Sequence, residues 1–511
     1  MTNRRSAVIL AGSIAVITTE LVVYIHYGNV FLDAGFYLSA AHQVLAGKMP
    51  YRDFFFVQPP VFPYVYSVVF AASGTSLAAA RTVSALFGLG TVLLLAAAAR
   101  HSAGLPAAAL LTWLLACSPF QLYHFSVTKL YGLTAFWLAL TFFLLGRGTF
   151  ASTAAAGCCA ALATSTRLTV LPVIPAYLLL VVLMPLSKRR RALLAAIPVL
   201  VTAAVFLPFL ITAPAQLYYN LFAIHVSATG GPHHHSLVIK CKVLLKIAYY
   251  FALPSALLGV LFLRRLFGWK RVEWTLPGLF RRYTRSGEVR LRMSLWLTVV
   301  GITVVHVVAN WFSADYQAVV MPLFCLTIAI QTVEGGVHRR RWFGLILCLL
   351  GIGCLAGQAD DFIWFHEGRG PLANIQDAAS FVQSRTAPES PLITANAFYA
   401  FAAGRPVLPG FEGAPFTFTP GWDEATCRRF HCYNAEMLTT MIDTRQAGSL
   451  VLYADSFAVG FPGFYSVDNA LQEAIWEHIG SHYREAARFV NFRGYDRDLV
   501  VYLPRIETRL R

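Results

Sequence analysis

Charge is what this chain has least of. Only 13% of its 511 residues are Asp, Glu, Lys or Arg, while 57% are hydrophobic. A typical soluble domain is about one quarter charged. So few charges could not cover a soluble protein of this size, and lipid is the solvent that removes the need. Acids are scarcer than bases, at 25 against 41, which leaves a formal net charge of +16. The basic runs are short and lie between apolar segments, as in Lys188-Arg189-Arg190-Arg191 and His338-Arg339-Arg340-Arg341. That placement reads as cytoplasmic loops and argues against nucleic acid as a partner. The nine Cys include no CxxC and no zinc spacing, and seven of them, such as Cys158, Cys159 and Cys354, sit inside apolar segments as packing residues. No P-loop, GxGxxG or GxSxG context is present, so nothing signals nucleotide hydrolysis or a serine nucleophile. There is also no fixed-period repeat and no low-complexity tract. The first apolar run, from Ser6 to about Tyr27, is too long for a signal peptide and has no small-residue cleavage site after it. It reads as the first membrane helix, with its N-terminus inside.

What is present is a series of spanning lengths. Apolar stretches occur near 6–27, 77–98, 106–124, 126–146, 154–184, 193–211, 243–263, 293–311, 317–333 and 342–357, with a shorter one from Pro60 to Ala72. At ~20 residues per span these predict about eleven transmembrane helices. An odd number puts the C-terminus outside, and the basic runs at 188–191, 264–271, 281–292 and 338–341 then all fall inside. Two outer loops follow, at 29–60 and 213–240.

The expected fold is therefore a multi-pass α-helical membrane domain over 1–357 with a small extracytoplasmic α/β domain over 358–511. In that second part helices are expected at Ala373–Arg385, Ala435–Gln446 and Asn469–His482. Strands are expected at Leu392–Thr394, Leu450–Tyr453, Ala487–Phe492 and Leu499–Leu503. Cys427 and Cys432 lie in this part. In an oxidising compartment they are expected to form a disulfide, provided the chain bends between them.

The first outer loop holds the chemistry. Asp33 is placed to N-cap a helix from Ala34 to Ala46, stopped by Gly47. Ser39, His42, Gln43 and Ala46 share one face of that helix. Tyr37, Leu38, Ala41, Val44 and Leu45 share the other. Such an amphipathic helix should lie in the membrane interface, with Asp33 near the headgroup of any lipid-linked substrate. A second acid, Asp53, sits in Tyr51-Arg52-Asp53-Phe54, and Gln58-Pro59-Pro60 leads into the next helix. Either acid also has a plain structural reading: a helix cap for Asp33, an ion pair with Arg52 for Asp53.

These elements together resemble the GT-C superfamily of membrane glycosyltransferases, which includes protein O-mannosyltransferases and lipid A aminoarabinose transferases; the likeness is to a bacterial branch. The residues concerned are Asp33 after the first span, the helix ending in Gly47-Lys48, the Tyr51–Phe54 box and Gln58-Pro59-Pro60. Further echoes are Thr128-Lys129-Leu130-Tyr131, Ser165-Thr166-Arg167-Leu168, and Asp315-Tyr316-Gln317 ahead of Pro322. The resemblance covers roughly residues 1–350. It implies transfer of a sugar from a polyprenyl-phosphate carrier to a lipid, glycan or protein acceptor at the outer face, with inversion. Asp33 matches the family's catalytic acid and would take the acceptor's proton. Asp53 is a second candidate acid. Lys48, Arg52 and Arg167 would offset the donor phosphate. Tyr37, Gln58, His225 and Tyr316 complete the candidate substrate contacts. One departure is that aminoarabinose transferases have a Lys before the paired prolines, where this chain has Gln58.

Lys129 and Arg167 interrupt apolar spans, where ionisable groups are costly and default to functional candidates unless they snorkel. His233-His234-His235 offers metal ligands, although a polar loop accounts for it as well. No cofactor is called for, and a divalent metal stays open. The competing readings are a transporter or flippase, which tends to show internal repeats and broken helices in matching positions, and a non-catalytic assembly protein of surface polysaccharide.

Overall fold

The computed structural model describes residues 3–30, 32–227, 237–267, 287–309, 312–339, 343–363, 370–462, 465–490 and 497–505. The chain is a mostly helical, multi-pass membrane protein. By length and composition, five helices among the described residues can cross a membrane: Asn3–Tyr27, Leu77–Ala103, Lys188–Thr212, Gly287–Val308 and Phe343–Asp361. The number rises to seven if each of two bent pairs is one span. About eleven spans were expected, and several of the apolar stretches behind that number are broken or short, because apolar length alone does not reveal where a helix breaks.

Each break has a local cause. The expected 106–124 span is Leu105–Ala116 followed by Pro119–Ser126, bent by 77°. Ser118 starts the second piece by accepting from the Gln121 N–H, and Pro119 occupies a first-turn position where its missing N–H costs nothing. The 243–263 span bends by 86° between Leu237–Tyr250 and Ala252–Leu263. Pro254 stands just past that bend and cannot donate back to the Tyr250 carbonyl. The 154–184 span is two helices, Phe150–Thr166 and Val173–Leu183, with Arg167 extended between them at φ −147°. The Pro60–Ala72 stretch is the helix Val61–Ser73, whose 13 residues reach only ~20 Å against the ~30 Å hydrocarbon core.

The chain divides into two compact units. One comprises Met1–Ile25, Thr82–Phe206 and His235–Phe362, and the other His26–Arg81, Leu207–His234 and Ile363–Arg511. The second unit contains both the loop at 29–60 and the C-terminal part. Its four-stranded sheet runs in the order β1 (Leu392–Thr394), β2 (Ser449–Leu452), β6 (Leu499–Pro504), β5 (Tyr483–Phe489). β1 and β2 are parallel, while β6 is antiparallel to both β2 and β5. A short hairpin, β3 (Val459–Gly460) with β4 (Tyr465–Ser466), stands apart. Ile393, Leu450 and Leu452 of the sheet bury against Leu438 and Ile442 of Ala435–Asp443 and Ile475 and Ile479 of Asn469–His482. Their apolar residues repeat every three or four positions, as core-facing helices require.

The disulfide expected between Cys427 and Cys432 is not formed, and both thiols are free and buried. The helix Glu424–Phe430 ends at His431 in the left-handed conformation, and the two sulfurs engage different partners. Cys427 Sγ lies 3.1 Å from Thr419 Oγ1, and Cys432 Sγ faces the Phe430 carbonyl at 3.6 Å.

The first-loop helix runs Leu32–Leu45, so Asp33 falls in its first turn and is not the residue preceding Ala34 as a cap. The helix also differs from the half-exposed amphipathic one expected. Residues 34–41 are buried on every side, and only the far end, at His42 and Leu45, is exposed. The reason is packing within this unit. A Cβ added to Gly35 would lie 2.3 Å from the Phe398 backbone nitrogen and 2.5 Å from its Cα. Only glycine lets the helix Ala397–Ala403 approach so closely. Gly35→Ala is therefore expected to lower stability by about 3 kcal/mol, the upper end for overpacking a rigid contact. Thermal unfolding in lipid nanodiscs checks this, and an unchanged midpoint would contradict the packing.

Candidate functional site

Within the unit that holds the first loop, the Asp33 carboxylate belongs to the first turn of Leu32–Leu45, where the N-terminal end of the helix dipole favours a negative charge. Asp33 is half-buried. Upstream, the fully buried Arg81 donates to the Gly28 carbonyl at 3.0 Å, tying down the segment from which this helix starts. Downstream, Gly47 at φ +82° ends the helix.

The chain then folds into a tight turn over 49–54. Tyr51 takes φ +67°, which costs a non-glycine residue roughly 1–3 kcal/mol. The surroundings compensate. Tyr51 N–H donates to Phe54 O at 2.9 Å, and its buried hydroxyl donates to the Gln58 carbonyl at 2.5 Å. Its ring meets Phe209 edge-on at 5.3 Å. Asp53 closes the turn by accepting from Met49 N–H at 2.8 Å and from Arg52 Nε and Nη2 at 2.9 and 2.7 Å. The Arg52 hydrogen bonds, with help from Met49, hold the Asp53 carboxyl below the usual carboxylate range. The Tyr51-Arg52-Asp53-Phe54 box is thus a self-bonded turn, in which Arg52 and Asp53 satisfy each other.

Three further groups of the same unit gather near this turn. Burial lowers the His431 pKa, while the neighbouring backbone of Arg52 and Tyr51 and the Asp53 charge oppose that fall. Glu412 is buried, which raises its carboxyl, although the N–H groups of Glu412 and Gly410 and the Lys48 ammonium oppose the rise. Burial first, and Lys48 second, lower His42. Lys48 itself is exposed at the end of the helix. Tyr37 is buried against Phe36, Phe56 and Phe62, so its ring is part of the packing. His225 is exposed in the short helix Ile224–Ser227, and His233-His234-His235 lies outside the described residues.

The other unit holds a buried polar cluster amid apolar helices. Lys129 Nζ pairs with Asp315 Oδ2 at 3.2 Å, with side-chain exposures of 5% and 13%. The Tyr131 hydroxyl donates to the same carboxylate oxygen. Burial alone would raise the Asp315 carboxyl, but Lys129 foremost, then His124, Ser313 and Tyr131, hold it well below its ordinary value. The extended backbone at Arg167 delivers its guanidinium over the rings of Tyr131 and Tyr316, at 5.2 and 4.8 Å. Arg167 Nε also donates to Thr169 Oγ1 at 3.0 Å. His306 Nε2 lies 2.9 Å from that hydroxyl, and His306 Nδ1 lies 3.3 Å from Gln317 Nε2. No carboxylate pairs with Arg167 among the described residues. The cluster therefore holds two cations, of which only Lys129 meets the acid.

Of the residues singled out in the sequence, the structure joins Arg167 with Tyr316, Arg52 with Asp53, and Tyr51 with Gln58. Sequence reasoning did not select Asp315, Tyr131, His306, Glu412 or His431 as site residues. Asp315 and Tyr131 had a signal, since each shares a short motif with a selected residue and Asp315 is an acid at the mouth of an apolar helix. The other three had none, because their significance comes from partners far away in sequence. Among the described residues, no three His, Cys, Asp or Glu are close enough together to hold a metal ion.

Residues 57–214 match the model of the family described as dolichyl-phosphate-mannose-protein mannosyltransferase. No curated protein sequence matches the chain. Among solved structures, it is similar to ArnT from Cupriavidus metallidurans bound to undecaprenyl phosphate, with a TM-score of 0.62 at 14% identity over 98% of each chain. The apo state of that protein gives 0.64 at 15% identity, over 96% of this chain and 97% of the other. The oligosaccharyltransferase of Archaeoglobus fulgidus, in complex with Zn and sulfate, gives 0.53 at 16% identity, over 94% of this chain and 72% of the other. These matches bear out the resemblance to GT-C membrane glycosyltransferases and show that the chain shares their fold.

Proposed function

We propose that the chain is a membrane glycosyltransferase that moves a sugar from a polyprenyl-phosphate donor to an acceptor hydroxyl at the outer face of the plasma membrane. The observation that supports this best is a buried cluster in which Lys129 pairs with Asp315 while Arg167 lies over the Tyr131 and Tyr316 rings with no carboxylate partner among the described residues. A positive excess inside an apolar helical unit is costly unless an anion joins it. A lipid phosphate is an anion that arrives through the membrane, and the ArnT structure of the same fold was determined with undecaprenyl phosphate bound.

In the proposed step, the Asp33 carboxylate accepts the proton of the acceptor hydroxyl. The hydroxyl oxygen attacks the anomeric carbon from the side opposite the phosphate. The bond from that carbon to the phosphate oxygen breaks, and polyprenyl phosphate leaves with the electron pair. The configuration inverts. Arg52 is already matched by Asp53, so we assign that pair to holding the 49–54 turn beside the Asp33 helix, with Gln58 anchoring Tyr51. Lys48 and His225, both exposed, are left as contacts for the acceptor. Hexosyl or pentosyl transfer are equally compatible with this scheme.

Arg167→Ala is expected to raise the donor KM by roughly 10- to 100-fold, since a charge-assisted contact contributes ~1.5–3 kcal/mol. Arg167→Lys should recover only part of it, because the ammonium cannot form a two-pronged contact. Transfer of labelled sugar from a polyprenyl-phosphate donor measures both, and an unchanged KM in Arg167→Ala would remove the phosphate assignment. The basic runs at 188–191 and 338–341 support placing the C-terminal part outside. A reporter active only in the periplasm, fused after Arg511, is then expected to be active, and activity of a cytoplasm-only reporter there would reverse the topology.

A further inference from the structure

The C-terminal sheet ends in a crevice distinct from the first loop and from the buried cation cluster. The chain leaves β2 at Leu452 and runs into Ala454 and Asp455, and here a cavity of about 690 Å³ opens between the sheet and the helix Asn469–His482. Its size is within the ~300–1,000 Å³ of small-ligand sites. Its place, outside the carboxyl end of a strand in a parallel pair, is where α/β sheets commonly hold ligands.

The lining has two kinds of surface. Trp476 and Tyr502, partly buried and with ring centroids 6.1 Å apart, form an aromatic wall. Facing it are Asp455, Arg488, Arg497 and Asp498. Arg497 pairs with Asp455 at 2.6 Å, and Arg488 pairs with Asp498 at 3.1 Å and, through Nε and Nη2, with Glu485 beside the crevice at 2.9 and 2.7 Å. The lining charges therefore cancel, which disfavours an anion such as a lipid phosphate. Exposed ion pairs of this kind contribute only ~0–1 kcal/mol, so their members can turn to a ligand at little cost. Carboxylates and guanidinium forks match pairs of neighbouring hydroxyls, and an aromatic face packs against the C–H face of a sugar ring.

The geometry points to a binding site for a neutral saccharide, lying across Trp476 and hydrogen-bonded by Asp455, Arg488, Arg497 and Asp498. It deepens the transferase reading and rests on it in one respect: the saccharide held here is the acceptor glycan. The test uses the full chain in lipid nanodiscs and a panel of unmodified neutral oligosaccharides built from common hexoses, pentoses and N-acetylhexosamines, with calorimetry as the readout. At least one member is expected to bind saturably. Trp476→Ala should weaken that binding at least tenfold. Because Trp476 also packs on Phe457, Arg497→Gln at an exposed side chain provides a second arm, with an expected weakening of severalfold. Asp33→Asn should leave binding unchanged. Binding by no member of the panel, binding insensitive to both crevice variants, or binding lost in Asp33→Asn would each overturn the assignment. Failure of the transferase reading shows differently, as normal sugar transfer by Asp33→Asn with crevice binding intact.

Discussion

Asp33→Asn is expected to lose roughly 100- to 10,000-fold in turnover, the range for removing a general base, while donor binding and thermal stability stay close to those of the parent chain. The two effects differ in scale for a physical reason. Asp33 lies in the first turn of Leu32–Leu45, where losing the negative charge at the helix start costs only about 0.3–1 kcal/mol. The amide keeps the size and one acceptor oxygen of the carboxylate, so the packing around Gly35 and Phe398 is undisturbed. What it cannot do is take a proton. Single-turnover transfer with donor and acceptor both saturating isolates that loss from binding. Turnover at the parent rate would remove Asp33 from the chemistry and, with it, the proposed mechanism.

Lys129→Met carries the largest expected effect on stability. The pair with Asp315 is buried, and deleting one member of such a pair costs about 3–5 kcal/mol because the other charge is left without its counterion. Tyr131 still donates to the carboxylate, which places the expectation at the lower end. Replacing both, as Lys129→Met with Asp315→Leu, should recover most of the loss, since no buried charge is then stranded. A double-mutant cycle on the unfolding midpoint in nanodiscs measures the coupling. Simple additivity of the two changes would contradict the pairing. The acid limb gives a second check. The Asp315 carboxyl titrates below its unfolded value near 3.9. Its contribution is thus full above that pH and declines as the pH falls below it, and the decline should vanish in the doubly substituted chain.

The first loop shows how local patterns translate into structure. Gly47 ends a helix because a left-handed residue is needed there, and the helix does end there. The plain reading of Asp53, an ion pair with its neighbour, also appears in the structure, since adjacent residues in a turn need no distant partner to meet. Asn469–His482 was legible to the residue from its apolar spacing. The burial of residues 34–41 was not. Their pattern suits a half-exposed helix, and what covers the other side is Phe398, more than 350 residues later. Cys427 and Cys432 differ in the same way, because spacing permitted a bridge and the actual bend at His431 sent the two sulfurs to other partners.

By itself, the sequence determined the membrane class and the helical body, since apolar length and scarcity of charge act wherever the segment lies. It also determined the turn chemistry of 47–54, which is settled within a few residues. Tertiary structure alone decided where the long apolar runs break and which ionisable groups share a site. Lys129 and Asp315 are 186 positions apart, and neither has a local pattern that names the other. Their meeting depends on how many helices pack in between, and at Arg167 on a break in the helix that frees the guanidinium to reach Tyr131 and Tyr316.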